Sequence, residues 1–139
     1  MFGAELGHMA EGILGPSQWE EGLRFPIDVG PRQAEVVRSL RASVFPTLRA
    51  GGASHVEYPT AQAYATALLA IHCVEEGASV GDDALLATAR ALRCTTFFGA
   101  FGLGADGRQT EHEMLAVQWQ EGVKAVVWPP RAAEASTVI

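Results

Sequence analysis

Glutamate and histidine side chains are the groups of this chain best suited to chemistry. Glu20 and Glu21 form a carboxylate pair, and paired carboxylates can divide acid and base roles between them. Glu111, His112 and Glu113 form a triplet that could bind a metal. The pair lies in a predicted loop, however, and the triplet precedes a predicted strand, where successive side chains point to opposite faces. We therefore expect solvated surface at both places, and an enzyme that uses Glu20, Glu111 or His112 is only a third hypothesis.

Motifs that define common enzyme classes are missing from the sequence. There is no phosphate-binding glycine loop, no H-E-x-x-H zinc motif, and no G-x-S-x-G or S-x-x-K serine nucleophile. Cys73 and Cys94 do not form a C-x-x-C pair, so we expect buried free thiols. A disulfide between them would need an oxidising compartment and close Cα atoms, and sequence shows neither. The sequence thus predicts no enzyme, no cofactor and no metal site.

Composition and charge exclude further classes of protein. The chain has 139 residues, of which 48% are hydrophobic and 19% charged, as in a globular protein. Its net charge of −6 gives no electrostatic help in binding nucleic acid or anionic lipid. No apolar stretch is long enough for a transmembrane helix, and the first ten residues lack the Lys or Arg of a signal peptide. We expect either a protein that stays where it is made or a fragment whose own start lies upstream.

Hydrophobic periodicity predicts an α/β chain in which helices are followed by a β-meander. An apolar strand precedes Pro16, and a loop rich in glycine and proline follows it. The glycine-rich segment from Phe97 to Leu103 predicts a bent or bulged strand. Three helices are predicted between the first strand and the meander, from about Pro31 to Phe45, Pro59 to Glu76 and Asp82 to Leu92. The last strands are predicted at Met114 to Gln120 and Val123 to Trp128.

Two of the predicted helices have apolar faces that indicate how they pack. The first carries Ala34, Val37, Leu40, Arg41 and Val44 near helical spacing. The second is apolar or small around most of its circumference, so it should be largely buried and should end at Gly77. Its tyrosine, Tyr64, is expected in the core.

Four segments, in this order, resemble the leucine-binding-protein-like family, the type 1 periplasmic solute-binding proteins for branched-chain amino acids and amides. The first is the late-lobe segment Ala10–Glu20, and the second is the helix Ala61–Ala70, which contains Tyr-Ala-Thr-Ala. The third combines Phe98–Leu103 with Asp106–Gln109, and the fourth is the terminal hairpin, Val117–Gly122 with Val126–Pro129. The resemblance covers about residues 3–130.

The resemblance implies the C-terminal segment of a two-lobed α/β fold that closes on its ligand by hinge motion. It implies a substrate-binding component of an ABC transporter, fragment or truncated form, for branched-chain amino acids, amides or similar small polar solutes. The implied location is the periplasm or the cell exterior, and the implied partner is an ABC permease if the protein is full-length. A ligand-sensing regulatory module of the same fold is the alternative.

The family comparison also suggests a site and an assembly. We expect the ligand to contact Ser17, Gln18 and Trp19 in the segment after the first strand, with Tyr58 and Gln62 near the start of the second helix. In the family, most ligand contacts come from parts that would precede Met1. Helix and hairpin faces left bare would favour a homodimer, a swapped assembly or a poorly stable monomer. Residues 1–130 would form the family segment and 131–139 a disordered tail.

Overall fold

The structure is a computed structural model that describes residues 5–43 and 55–138. It divides the chain into two units, one formed by the segment up to Glu20 together with the segment from Met114, the other by Glu21–Glu113. The described residues contain three α-helices, α1 (Gln33–Ser43), α2 (Tyr58–Gly77) and α3 (Asp82–Ala91). The strands are β1 (Leu14–Ser17), β2 (Arg93–Thr96), β3 (Gly99–Gly102), β4 (Leu115–Gln120) and β5 (Val123–Trp128). The expected α/β class is confirmed, and the strands that pair are antiparallel.

The terminal unit is a three-stranded sheet in the order β1-β4-β5. The predicted C-terminal hairpin is present, and its turn places Glu121 and Gly122 at positive φ. β1 pairs with β4, with Leu14 opposite Gln118. Pro16 was expected to stop this strand, but it lies inside it, because an edge strand tolerates a residue that cannot donate to the ladder.

The single bent or bulged strand predicted at 97–103 is a strand only over Gly99–Gly102, because its first two residues form the turn of a hairpin. β2 and β3 are joined by a turn at Phe97 and Phe98, and Arg93 lies opposite Gly102. Phe97 is fully buried in this turn. The Tyr64 ring meets it edge to face at a centroid distance of 5.6 Å, so Tyr64 contacts the core although it is only half-buried itself.

α1 begins two residues after the predicted start and presents a different face to the core. Its buried residues are Gln33, Val36 and Leu40, and Val37 is half-buried, so the predicted face is wrong at Ala34 and Arg41, which are exposed. The reason is Gln33, whose amide donates to the carbonyl oxygen of Glu21 at 2.6 Å and can therefore be buried. The predicted end of this helix, at Val44 and Phe45, lies outside the described residues.

α2 is much less buried than its composition predicts. Of its 20 residues only Ala61, Ala65 and Cys73 are buried, so the expectation of a largely buried helix is wrong for this chain. Gly77 is the last helical residue, and Ala78 takes the left-handed conformation that ends the helix. Gly77 is needed for packing instead, because an added Cβ would lie 2.7 Å from Thr88 Oγ1 on α3.

The C-terminal segment that follows β5 makes hydrogen bonds to the terminal sheet. Glu134 accepts from the backbone N–H of Val126 and donates its own to the Val126 carbonyl. The Gln118 side chain accepts from the Val138 N–H and donates to the Val138 carbonyl, both at 2.8 Å. Sequence patterning does not predict these bonds, and the expected disorder of residues 131–139 stays a prediction for solution measurements.

Candidate functional site

The segment after β1 carries three of the residues expected to bind ligand. Ser17 is buried, and its Oγ donates to the Trp19 carbonyl oxygen at 3.1 Å, which holds the two residues in a tight turn. The Trp19 side chain is only 1% exposed, whereas Gln18 is partly exposed. A ligand could therefore reach Gln18 directly, but contact with the Trp19 ring would require the surrounding side chains to move.

Glu20, the next residue, has a structural partner. Its carboxylate forms an ion pair with Lys124 of β5, with the Lys124 Nζ 2.7 Å from the Glu20 Oε1. Only 8% of the Glu20 side chain is exposed. Lys124 therefore stabilises the negative charge that water would otherwise solvate. This pair anchors the end of the Ser17–Glu20 segment to the sheet.

The other two expected ligand residues lie on the first turns of α2. Tyr58 is 39% exposed, and Gln62 is exposed one turn later, so their positions share a face of the helix. The Thr66 hydroxyl donates to the backbone carbonyl oxygen of Gln62. This bond does not involve the Gln62 side chain. Tyr58 and Gln62 belong to the Glu21–Glu113 unit and the Ser17–Trp19 group belongs to the terminal unit, so each group forms its own local surface.

The candidate acid–base residues have packing roles. The His112 ring stacks on Phe98 at a centroid distance of 5.1 Å, and Phe98 in turn meets Phe97 at 6.5 Å. Glu111 is exposed and its side chain approaches Gly102. Among residues 5–43 and 55–138, no group of three or more His, Cys, Asp or Glu side chains could hold a metal ion.

The segment that resembles the family at 98–109 is explained by turn chemistry. The Gln109 amide donates to the Ala100 carbonyl and its oxygen accepts from the Gly102 N–H, both at 3.0 Å, so this side chain extends the β3 edge. Asp106 Oδ1 accepts from the Arg108 N–H, and Gly107 has a φ of +81°. These residues build a hairpin, and none of the bonds requires a ligand.

The fourth resembling segment also has a structural use. Gln118 is 1% exposed, and its Nε2 donates to the Gly12 carbonyl in addition to its bonds with Val138. Gln120 donates to Gln118 Oε1 at 2.7 Å and to the Ser136 carbonyl. The glutamines of this motif therefore connect β4 to the chain's first and last segments.

The two cysteines are free and buried, as the sequence predicts. Burial raises the pKa of the Cys73 thiol. Burial also raises the pKa of Cys94, and the negative charges of Asp28 and of the Cys73 thiolate raise it further. Both groups are protonated at neutral pH, which makes them poor nucleophiles.

Three pockets of the Glu21–Glu113 unit contain none of the five residues that sequence analysis proposed to contact the ligand. One, of about 270 Å³, borders Cys94 and Thr95 on β2. The other two adjoin α1 and are lined by arginines. The signal for these was present in the sequence, because Arg38 and Arg41 are three residues apart in a helix and share a face.

Comparison with known proteins provides no family assignment, since neither a protein-family model nor a curated protein matches the chain. Within the described part of the chain, no helix is both long and apolar enough to cross a membrane.

Proposed function

We propose that this chain is the C-terminal segment of a two-lobed solute-binding protein, which binds an amino acid or amide without transforming it. The proposal starts from the four segments that resemble the leucine-binding-protein-like family over residues 3–130. It includes an extracytoplasmic location and delivery of the solute to an ABC permease. A ligand-sensing module of the same fold would make the same prediction for binding and differ in its partner.

The bare face of α2 is the observation that carries the proposal. Ala63, Ala67, Ala70 and Ile71 are exposed and share one side of the helix. No Lys, Arg, Asp or Glu occurs in α2 before Glu75, so this side has no charge to favour contact with water. Helices that flank a sheet in an α/β lobe bury such faces. We infer that further elements of the same lobe cover the α2 face in the working protein.

The roles of the motif glutamines support binding without catalysis. Gln109 bonds to the backbone of β3, Gln118 bonds to the backbone carbonyl of Gly12, and Glu20 is paired with Lys124. Polar residues committed to backbone partners position a scaffold, and they do not meet the needs of acid–base chemistry on a substrate. Tyr58 and Gln62 are exposed in the Glu21–Glu113 unit, and Gln18 is partly exposed in the terminal unit, so a polar solute can reach each of the two groups.

Nuclear magnetic resonance titration tests this function. We expect leucine or a short aliphatic amide to shift the backbone signals of Gln18, Trp19, Tyr58 and Gln62, with no release of ammonia from the amide. Because the segment supplies only part of a cleft, the dissociation constant should be on the order of millimolar.

A double variant, Y58A/Q62A, should weaken the binding, since it removes two exposed side chains and leaves the helix backbone intact. The matched control is E76Q, an exposed change at the far end of α2 that should have no effect. Shifts that occur equally in all three proteins, no saturable shift with any amino acid or amide, or turnover of the amide would each contradict the proposal.

A further inference from the structure

We propose that the arginine-lined surface beside α1 binds a small organic anion, in which a phosphate or carboxylate group is joined to an apolar part. This inference goes beyond the proposed solute-binding function, because the surface contains none of the five residues expected to contact the solute. The shape, the charge and the fixed loop of this surface within the Glu21–Glu113 unit all favour such a ligand.

Two pockets of useful size adjoin each other here. One measures about 400 Å³ and the other about 580 Å³, and both have Arg24 and Ala34 in their walls. Small-molecule sites commonly measure roughly 300–1,000 Å³. A ligand placed beside Arg24 can therefore reach into either pocket, and we name the pair the α1 pockets.

The α1 pockets concentrate positive charge on an acidic chain. The whole protein has 10 Lys and Arg residues and a net charge of −6. Four of those cations line the α1 pockets, namely Arg24, Arg32, Arg38 and Arg41. Glu21 is the acidic residue in the lining, and its carboxylate is already paired with Arg41 at 2.6 Å. The remaining arginines therefore give the pockets an excess of positive charge.

These remaining guanidinium groups are available to a ligand. Arg24 Nη1 donates to the Gly22 and Leu23 carbonyl oxygens, each at 2.8 Å. These bonds fix one nitrogen of the guanidinium group and do not use the other two. The side chains of Arg32 and Arg38 have no hydrogen-bond or ion-pair partner in the described part of the chain. Glu35 accepts from the Arg32 backbone N–H and is not part of the lining. Guanidinium groups match the geometry of phosphate and carboxylate oxygens.

The apolar part of the ligand is indicated by the rest of the lining. Phe25, Pro26 and Ile27 border the larger pocket, and Ala34 and Val37 border the smaller one. An inorganic anion would use only the arginines, whereas an aromatic or aliphatic anion would also cover these side chains. We therefore infer that an organic phosphate or carboxylate is preferred over the bare ion.

The loop that carries Phe25 to Ile27 is fixed in place, so the apolar part of this surface needs little ordering on binding. Asp28 Oδ2 accepts from the Thr95 N–H at 2.9 Å, and the Asp28 N–H donates to the Thr95 carbonyl at the same distance. These bonds attach the loop to β2. A surface held in its binding conformation loses less conformational entropy when a ligand arrives.

Calorimetric titration of the chain with phenyl phosphate, benzoate and inorganic phosphate tests the proposal. Phenyl phosphate and benzoate should each bind saturably, phenyl phosphate should bind more tightly than inorganic phosphate, and added salt should weaken all binding. Charge-assisted hydrogen bonds are the strong contacts here, so R24Q and R38Q should each raise the dissociation constant by about tenfold or more.

The matched control is R90Q, because Arg90 is an exposed helical arginine on α3 outside the α1 pockets. The affinity of R90Q for phenyl phosphate should equal that of the unmodified chain. Equal losses in R90Q and R38Q would show only diffuse surface charge and overturn the site. Absence of saturable binding would also overturn it, and equal affinity for phenyl phosphate and inorganic phosphate would remove the apolar part of the proposal.

Discussion

The carboxylate of Glu20 is buried, and Lys124 in β5 provides the positive charge that compensates it. Replacing Lys124 with Met removes the cation 2.7 Å from the Glu20 Oε1 and leaves the carboxylate nearly buried. Breaking a fully buried pair costs about 3–5 kcal/mol, and Lys124 is 27% exposed, so we expect K124M to lower the free energy of unfolding by about 2 kcal/mol. Urea denaturation followed by circular dichroism measures this loss.

An exposed ion pair provides the control. Arg108 lies 3.6 Å from Asp106, with 85% and 59% of their side chains exposed. R108M should therefore change the free energy of unfolding by less than about 0.5 kcal/mol. Equal effects of K124M and R108M would mean that the Glu20 pair is no more than a surface contact.

The cysteine thiols predict a loss of stability at alkaline pH. Burial raises the pKa of Cys73, and burial with the nearby negative charges raises that of Cys94, above their ordinary value of 9.0. Above that value the unfolded chain releases these protons while the folded chain still holds them. The contribution to stability is thus complete below pH 9.0 and is lost as the pH rises through the folded-state pKa values.

Urea denaturation of the unmodified chain and of C73A/C94A between about pH 8 and 11 separates this effect from tyrosine and lysine titration. The double variant should be less stable at pH 8, because two buried side chains are shortened, yet its stability should fall less steeply with rising pH. Parallel pH profiles would assign the alkaline loss to other groups.

The contact between the 25–30 loop and α2 depends on a glycine. Gly30 has a φ of +85°, and an added Cβ would overlap with the Leu68 side chain of α2. Gly107 has nearly the same φ, +81°, with nothing within 4 Å of such a Cβ. G107A should cost only the backbone strain, about 1 kcal/mol, whereas G30A should cost about 1–3 kcal/mol more through overpacking.

Equilibrium unfolding measures both variants, and the double variant G30A/L68A identifies the cause. If Leu68 produces the clash, the double variant should cost less than the sum of its single changes. Equal costs for G30A and G107A would show that the loop moves away from α2 without penalty.

The C-terminal segment gives a second test at the level of chain segments. Gln118 Oε1 accepts from the Val138 N–H at 2.8 Å, so Q118L should speed hydrogen exchange at Val138. Q120L removes the bonds to the Ser136 carbonyl and to Gln118 Oε1 but leaves the Val138 bond itself in place, so exchange at Val138 should speed up less than in Q118L. Exchange at the free-peptide rate in the unmodified chain would support the disordered tail predicted for residues 131–139 from their place at the terminus.

Elements with long or regular patterns could be predicted from the sequence. α2, α3 and the hairpin of β4 and β5 were placed to within a few residues, because apolar residues recur there at a clear period. β2 was missed, since it has only four residues and the adjoining turn consists of Phe97 and Phe98, which resemble strand residues.

Faces and site residues were harder to predict, because they depend on buried amides. Gln33 and Gln118 are nearly fully buried through bonds to backbone groups, which hydropathy patterns cannot show. Trp19 was proposed for a ligand cleft from its position after a strand, and its enclosure depends on packing that sequence does not show. The identities of the five predicted ligand residues remain a prediction.

The bare face of α2 affects the behaviour of the whole molecule. Composition predicted a buried helix, and the structure places Ala63, Ala67, Ala70 and Ile71 at the surface. Both observations follow if this helix evolved to be covered by elements beyond those that the described residues provide. A chain in solution without that cover would be expected to bury the same face against another copy.

Self-association of the chain therefore tests whether the bare face of α2 needs to be covered. Ile71 is 58% exposed and is the largest side chain of the bare α2 face, and I71E would place a carboxylate in any interface formed there. We expect the chain to dimerise in sedimentation equilibrium and I71E to weaken dimerisation at least about tenfold, because an apolar contact cannot solvate the charge.

V80E is the matched control, since Val80 is 78% exposed in the connection between α2 and α3. A dimer that V80E weakens as much as I71E would place the interface elsewhere, and a stable monomer at all concentrations would show that the α2 face needs no cover.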